Sequence, residues 1–270
     1  MAFPCRGDTL VGVLHRGAAG ATRGVVIVVG GPQYRGGSHR QFVQLARALA
    51  ADGVPVLRFD ARGMGDSGGS HPGFEALDDD IRAAVDALAG AEPGLERIAL
   101  WGLCDAASAI CWYAPTDARI AGAVLLNPWV RTESTYAQTQ LRHYYGGKLG
   151  DPAFWKRLFT GGVDFADAAA SLRRTLRNLA KRGGKAETSL PERMAQGIDA
   201  FGGPVLLVVS GEDLTAREFD GAAAASVGWQ RLFASPRFTR FDLPQADHTF
   251  SRRGSADAVA RRTSDWVRRL

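Results

Sequence analysis

The stretch Ile98-Ala-Leu-Trp-Gly-Leu-Cys-Asp-Ala-Ala-Ser108 constrains the fold more than any other part of the chain. A wholly apolar run ends at Leu103, and a helix-compatible segment reaching Tyr113 begins almost at once. A strand that passes into a helix over so few residues must turn sharply, and the side chain at the apex then projects beyond the end of the sheet. The apex is Cys104. Small residues two before and two after it let the strand and helix pass close together, and Gly102 and Ala106 hold those places. The pattern G-x-C-x-A is short enough to arise by chance around a buried structural cysteine, so its meaning depends on the rest of the chain.

Before about residue 130, short apolar runs alternate with helical stretches, which reads as βαβ units and a mainly parallel sheet. Strands are expected at Thr9 to Arg16, Gly24 to Val29, Val54 to Phe59, Ile98 to Leu103 and Arg119 to Asn127. Ser38 to Asp52 has helical apolar spacing and a Ser in the capping place. Phe74 to Leu88 is the next expected helix, with Asp78, Asp79 and Asp80 favouring its early turns. The rhythm stops at Arg131. From there to Ala200 helical stretches are broken by Gly146-Gly147, Gly161-Gly162 and Gly183-Gly184, and core strands resume after Gly203-Pro204. The expected organisation is an α/β core, residues 1–130 and 201–270, interrupted by a helical cap at 131–200. That cap reads as a lid over the active site or, in the plainer alternative, as a solvated decoration. At 270 residues such a chain buries a sizeable core without staples.

Three cysteines, Cys5, Cys104 and Cys111, at irregular spacing argue against a disulfide framework and against zinc. No metal and no cofactor is expected. Cys111, between Ile110 and Trp112, reads as core, and Cys5 as a terminal, exposed residue. The first residues lack the charged start and apolar core of a signal peptide. No apolar run is long enough to span a membrane. A cytoplasmic location is expected. Of the net charge of +5, all is carried by residues 131–200, with twelve Lys and Arg against seven Asp and Glu. These basic residues are not interleaved with aromatics, so nucleic acid is not an expected partner.

Two further segments give Cys104 a context. Val205-Leu-Leu-Val-Val-Ser-Gly-Glu-Asp213 is an apolar strand opening into carboxylates, and Phe238 to Leu243 is a final strand followed by Pro244-Gln-Ala-Asp-His-Thr-Phe250. The order nucleophile, acid, histidine is that of α/β-hydrolases and differs from chymotrypsin and subtilisin. Each candidate lies past the C-terminal end of a strand, where open parallel sheets bind ligands. Gly24-Val-Val-Ile-Val-Val-Gly-Gly-Pro-Gln33 resembles the His-Gly-Gly-Pro-Gly oxyanion turn of proline-iminopeptidase-like hydrolases, with Val29 in place of the His. Asp60-Ala-Arg-Gly-Met-Gly-Asp-Ser67 fits the D-x-R-G-x-G-x-S pattern common in that superfamily. Over its whole length the chain resembles an α/β-hydrolase. More narrowly, Trp101 to Ser108, Ser210 to Ala216 and Ala246 to Phe250 resemble the exosortase A system-associated hydrolases, type 1. That likeness implies a place beside exosortase-linked polysaccharide genes, a setting that includes acyl-activating and carrier proteins.

The expected chemistry follows from the residue types. Cys104 at a helix N-terminus, with an imidazole partner, suits a thiolate nucleophile. His248 is the base, ahead of His15, His39, His71 and His143, which read as surface or structural; His39 and His143 keep a possible reach to substrate. Asp213 is the leading acid to orient it, Glu212 its competitor, with Glu218 and Asp220 weaker. The backbone N–H of Asp105 supplies one oxyanion donor, its carboxylate being expected to turn away toward the helix N-terminus. Gly31 is the leading second donor, with Gln33 as fallback because Pro32 has no N–H. Arg62 and Asp66 read as structural. A cysteine elbow also occurs in dienelactone hydrolases and polyhydroxyalkanoate synthases, so the nucleophile does not fix the substrate. Three readings remain open: a hydrolase or acyltransferase on a small-molecule or carrier-borne acyl ester or thioester (an acyl carrier protein or CoA ester suiting the basic cap), a small-molecule carboxylic ester hydrolase, and a non-catalytic binding module that keeps the fold.

Overall fold

Apolar runs bounded by turns become the strands of one sheet. In a computed structural model, which describes residues 1–31, 33–131 and 188–270, they are β1 (Ala2–Cys5), β2 (Asp8–His15), β3 (Arg23–Val28), β4 (Val56–Phe59), β5 (Arg97–Leu103), β6 (Ile120–Leu126), β7 (Val205–Ser210) and β8 (Phe238–Leu243). They lie in the order β1-β2-β4-β3-β5-β6-β7-β8. Only β1–β2 and β2–β4 pair antiparallel; the remaining pairs are parallel. Strand β6, and β3 and β7 apart from their end residues Arg23 and Ser210, are apolar because helices cover both faces. From β3 the chain runs outward to β4 and then crosses back to β5. This reversal leaves a crevice at the C-terminal ends of β3 and β5, where α/β sheets place their ligands.

The α-helices among the described residues are α1 (Gln41–Ala51), α2 (Asp78–Ala91), α3 (Asp105–Tyr113), α4 (Leu190–Phe201), α5 (Leu214–Ala225), α6 (Val227–Phe233) and α7 (Ser255–Val267). Helix α1 buries Phe42, Leu45 and Leu49, spaced three and four apart on one stripe. With Val259 and Trp266 of α7 they close over Val25, Ile27, Trp101 and Leu103 of the sheet. Residues 1–130 and 191–270 form one compact unit. Residues 191–200, which the sequence reading assigned to the cap, lie in that unit. Pro191 offers its carbonyl to Trp229 Nε1 at 2.9 Å, and a Cβ at Gly197 would overlap the Cys111 carbonyl. The rest of the expected cap, with His143 and the basic cluster Arg173, Arg174, Arg177, Lys181 and Arg182, lies outside the described residues apart from 131 and 188–190.

Three local expectations are corrected. Cys5 is buried, because β1 pairs with β2 and its alternate residues Phe3 and Cys5 turn inward. Ser38 does not cap a helix. It opens a short turn, and α1 starts only at Gln41, after Arg40 in a left-handed conformation without a side-chain cap. The expected helix from Phe74 begins as a separate turn at Phe74–Ala76, and α2 proper starts at Asp78. The three aspartates therefore fall in its first turn, where the helix dipole favours negative charge.

Trp229 is fully buried and meets Phe219 edge-on at 5.0 Å between ring centroids. Trp229→Ala is expected to cost about 3–5 kcal/mol of stability, the usual penalty for deleting a buried aromatic. Urea unfolding would read this as a lowered midpoint at unchanged slope.

Candidate active site

The turn after β5 puts Cys104 at φ 63, ψ −127, a region that residues with a side chain rarely adopt. The surrounding backbone holds it there. Cys104 N–H donates to the Leu126 carbonyl at 2.9 Å, and its own carbonyl accepts from Trp129 N at 3.2 Å and Ser108 N at 3.3 Å. Strand and helix pass so closely that a Cβ on Gly102 would come within 2.9 Å of the Ala106 backbone. Cys104 is partly exposed, whereas Cys5 and Cys111 are buried. Burial pushes the thiols of Cys5 and Cys111 up from the ordinary value, Cys111 far more.

Asp213 follows β7 and serves as N-cap of α5. Its Oδ1 accepts from Thr215 N at 3.0 Å and its Oδ2 from Ala216 N at 3.3 Å. The same Oδ2 lies 2.7 Å from His248 Nδ1. With Nδ1 facing the carboxylate, Nε2 is the ring nitrogen left to face Cys104. The bond to Asp213 first and the neighbouring Cys104 thiol second, opposed by burial, push the His248 pKa up from 6.5 to about 10. Asp213 and His248 are thus hydrogen-bonded, with Cys104 beside the ring. Glu212, the competing acid, turns outward to pair with Arg252, and Asp220 pairs with Arg240 at 2.7 Å.

Sequence reasoning passed over Asn127. It is fully buried with φ 41 at the end of β6. Its Oδ1 accepts from Ser210 N at 2.8 Å, and its Nδ2 donates to Ser210 Oγ at 2.9 Å and to the His248 carbonyl at 3.4 Å. One side chain thereby ties the ends of β6 and β7 to the loop that carries His248. A polar residue closing the apolar run of β6, just before Pro128, was the available signal.

The loop after β3 departs from expectation at one residue. The Asp105 carboxylate does not turn away. It bends back so that Oδ2 accepts the Gly31 N–H at 2.9 Å. The space exists because Gly30 has no side chain, and a Cβ there would overlap Asp105 Oδ1. That Oδ1 is buried without a hydrogen-bond partner, as is Gln33 Oε1. Burial raises the Asp105 pKa from its ordinary value, against the opposing pull of the Gly31 and Ala106 N–H groups and the charge of His71.

The loop is anchored from below. Asp60, fully buried, accepts Arg35 N at 2.6 Å and Asp66 N at 3.0 Å, and it pairs with the Arg35 guanidinium. Asp66 also pairs with Arg35, at 2.6 Å. Arg58 donates to the Arg35 carbonyl at 2.9 Å and to His15 Nε2 at 3.0 Å. Arg62 grips buried Asp80 at 2.7 Å. The D-x-R-G-x-G-x-S residues are therefore scaffolding beneath the site. His71 Nδ1 accepts from Gly73 N at 3.2 Å, and His39 lies in the left-handed turn before α1. Among the described residues no cluster of three or more His, Cys, Asp or Glu is placed to hold a metal ion, and no helix is long and apolar enough to cross a membrane.

The sequence signature of the alpha/beta hydrolase family matches residues 25–262. The chain belongs to that family. Among solved structures it is similar to the esterase Pf2001 of Pyrococcus furiosus, at 17% identity over 100% of this chain and 91% of that one, with a TM-score of 0.66. Est1E from Butyrivibrio proteoclasticus, solved with ferulic acid bound, is 16% identical over 100% and 98% at a TM-score of 0.64. A dienelactone hydrolase from Anabaena variabilis is 15% identical over 100% and 96% at 0.62. At these identities the likeness is one of fold. No curated protein matches the sequence.

Three outcomes test this geometry. Brief iodoacetamide treatment near neutral pH is expected to label Cys104 well ahead of Cys5 and Cys111, since burial both shields those thiols and disfavours their reactive thiolates. Peptide mapping that found Cys111 modified and Cys104 intact would contradict it. Asp213→Asn removes the main cause of the raised His248 pKa, so the imidazole titration followed by NMR should move from about 10 toward 6.5. The linkage has a definite sign. A raised imidazole pKa contributes stability that is complete below about 6.5 and is lost as pH climbs toward 10. Thermal unfolding of the native protein should weaken across that window more than that of Asp213→Asn.

Proposed function

We propose that the protein is a cysteine-nucleophile hydrolase or acyltransferase that forms an acyl-enzyme at Cys104 from an ester or thioester. The observation that carries this reading is the 2.7 Å bond from Asp213 to His248, with the partly exposed Cys104 beside the ring, at the C-terminal edge of the sheet. The attacking form is the thiolate, and the imidazolium of His248 is the proton source. The Cys104 sulfur attacks the acyl carbon, and the carbonyl oxygen becomes an oxyanion facing the backbone N–H groups of Asp105 and Gly31. Collapse breaks the bond to the alcohol or thiol, which leaves with the proton of His248. The neutral imidazole then takes a proton from water, or from an acceptor nucleophile, as that group attacks the thioester. Release of the acid or the new acyl product regenerates the thiolate and the imidazolium. Asp213, pinned by two N–H groups of its own helix, fixes the ring that moves the proton.

Several features favour an acyl thioester. Thiolate exchanges with thioesters readily. The likeness of Trp101–Ser108 to exosortase-associated hydrolases adds a setting with acyl-activating and carrier proteins. The basic segment 131–200 suits an acidic carrier or the phosphates of CoA. A second reading, hydrolysis of a small carboxylic ester without a carrier, is favoured by the fold shared with the esterase Pf2001 and with Est1E, solved with ferulic acid bound. A binding module would have no use for a charged imidazole held between a thiol and a buried carboxylate.

Intact-mass measurement after exposure to N-acetylcysteamine thioesters and p-nitrophenyl esters tests the proposal. Expected is one acyl group per chain, mapped to Cys104 and absent in Cys104→Ala. His248→Ala should lower turnover at least ~100-fold, as for removal of a general acid–base group. Undiminished turnover by folded Cys104→Ala protein would overturn the reading.

A further inference from the structure

In an elbow of this kind the residue after the nucleophile contributes a backbone N–H, and nothing requires its side chain to enter the site. Here it does. Asp105 Oδ2 sits 2.9 Å from Gly31 N, on the donor that the acyl-enzyme reading assigns to the substrate oxygen. Gly30 makes the room for it, since any Cβ at that position would expel the carboxyl. The other oxygen, Oδ1, is buried and has no partner. An acceptor on Gly31 N–H and an oxyanion compete for the same proton. If that acceptor is a carboxylate, it also sets a negative charge beside the one that develops in the transition state.

Resting on that acyl-enzyme reading, we propose that Asp105 gates the oxyanion pocket: its carboxyl occupies the place of the substrate oxygen in the resting site, and surrenders the Gly31 N–H to substrate only as the neutral acid. Several groups bear on its charge. On the loop after β3, the Gly31 N–H favours the carboxylate; on α3, so does the Ala106 N–H; from the loop after β4, so does the charge of His71. Beside it stand Cys104 and His248, whose pKa is raised. Against the carboxylate stands burial, which outweighs the rest and raises the Asp105 pKa. A neutral carboxyl is the weaker acceptor and the more readily displaced. Its proton stays on it through the cycle, because His248 performs every transfer. Asp105 would therefore act as a positioning residue for Gly31, with the pH of the surroundings setting how many molecules are open.

The test compares two reactions of Cys104 that differ in one respect. Acylation by p-nitrophenyl acetate passes through an oxyanion, whereas alkylation by iodoacetamide does not. Both rates are measured from pH 5 to 9 in the wild type, in Asp105→Asn and in Asp105→Ser. In the wild type the ratio of acylation to alkylation should fall with rising pH by up to about 100-fold, the scale of losing one oxyanion donor. In both variants the ratio should be independent of pH and exceed the wild-type ratio at pH 9. A wild-type ratio that does not change with pH, while Cys104 is still acylated, overturns the gate and leaves the acyl-enzyme standing. So does a loss of acylation in both variants at every pH. Failure of all three proteins to be acylated while iodoacetamide still labels Cys104 overturns the acyl-enzyme reading, and the gate with it.

Discussion

The left-handed backbone at Cys104 persists because the strand before it and the helix after it are both locked by burial, so the turn between them has no freedom to relax. A non-glycine residue at φ 63 is held at a cost of the order of 1–3 kcal/mol. The cost is carried by a sheet whose central strands have almost no exposed side chains. Everything else in the site is placed relative to that fixed point. The crossing at Gly102 and Ala106 sets the direction of the thiol. The crevice between β3 and β5 sets where a carbonyl oxygen would lie. The ends of β7 and β8 bring the carboxylate and the imidazole to the same rim.

What keeps the rim in register is a buried polar framework that makes no contact with any reacting atom. Asp60, Arg35 and Arg58 fix the Gly30-Gly31 loop; Arg62 and Asp80 brace the turn below it; Asn127 joins two strand ends to the backbone of His248. Each buried charge is paired or hydrogen-bonded, so the framework is stable as a whole and intolerant of losing single members. Asp80→Ala, for instance, would leave a guanidinium without its carboxylate rather than a simple vacancy.

The parts of this arrangement that could be read in the sequence are those written in apolar periodicity and in spacing from strand ends. The parallel core strands, the elbow at Cys104, and the chain order of cysteine, acid and histidine all have such a signature. The N-terminal strand Ala2–Cys5 has little, because four residues with a central Pro fit no period, and so Cys5 was expected in solvent. The sequence put Asp213 ahead of Glu212 without settling it, since adjacent carboxylates differ only in which one the helix start captures. Two N–H groups of α5 select Asp213, and Arg252 draws Glu212 away. The inward turn of Asp105 was invisible for another reason. It depends on a missing methyl at Gly30, far away in sequence, and on a distance between two loops that only the assembled sheet defines.

On the proposed acyl-enzyme reading, Asp213 does two jobs with one carboxylate, and this would couple the chemistry to the local breathing of a helix. The carboxylate that aims His248 through Oδ2 also holds the Ala216 amide through Oδ2 and the Thr215 amide through Oδ1 at the start of α5. Whenever that first turn frays, the carboxylate is free to rotate and the imidazole loses its bearing, although the fold around it is unchanged. The protected lifetime of those two amide protons toward deuterium is therefore a clock for the competent site. A substitution on the outer face of α5 that speeds their exchange would lower the fraction of molecules able to react, without touching anything that substrate touches.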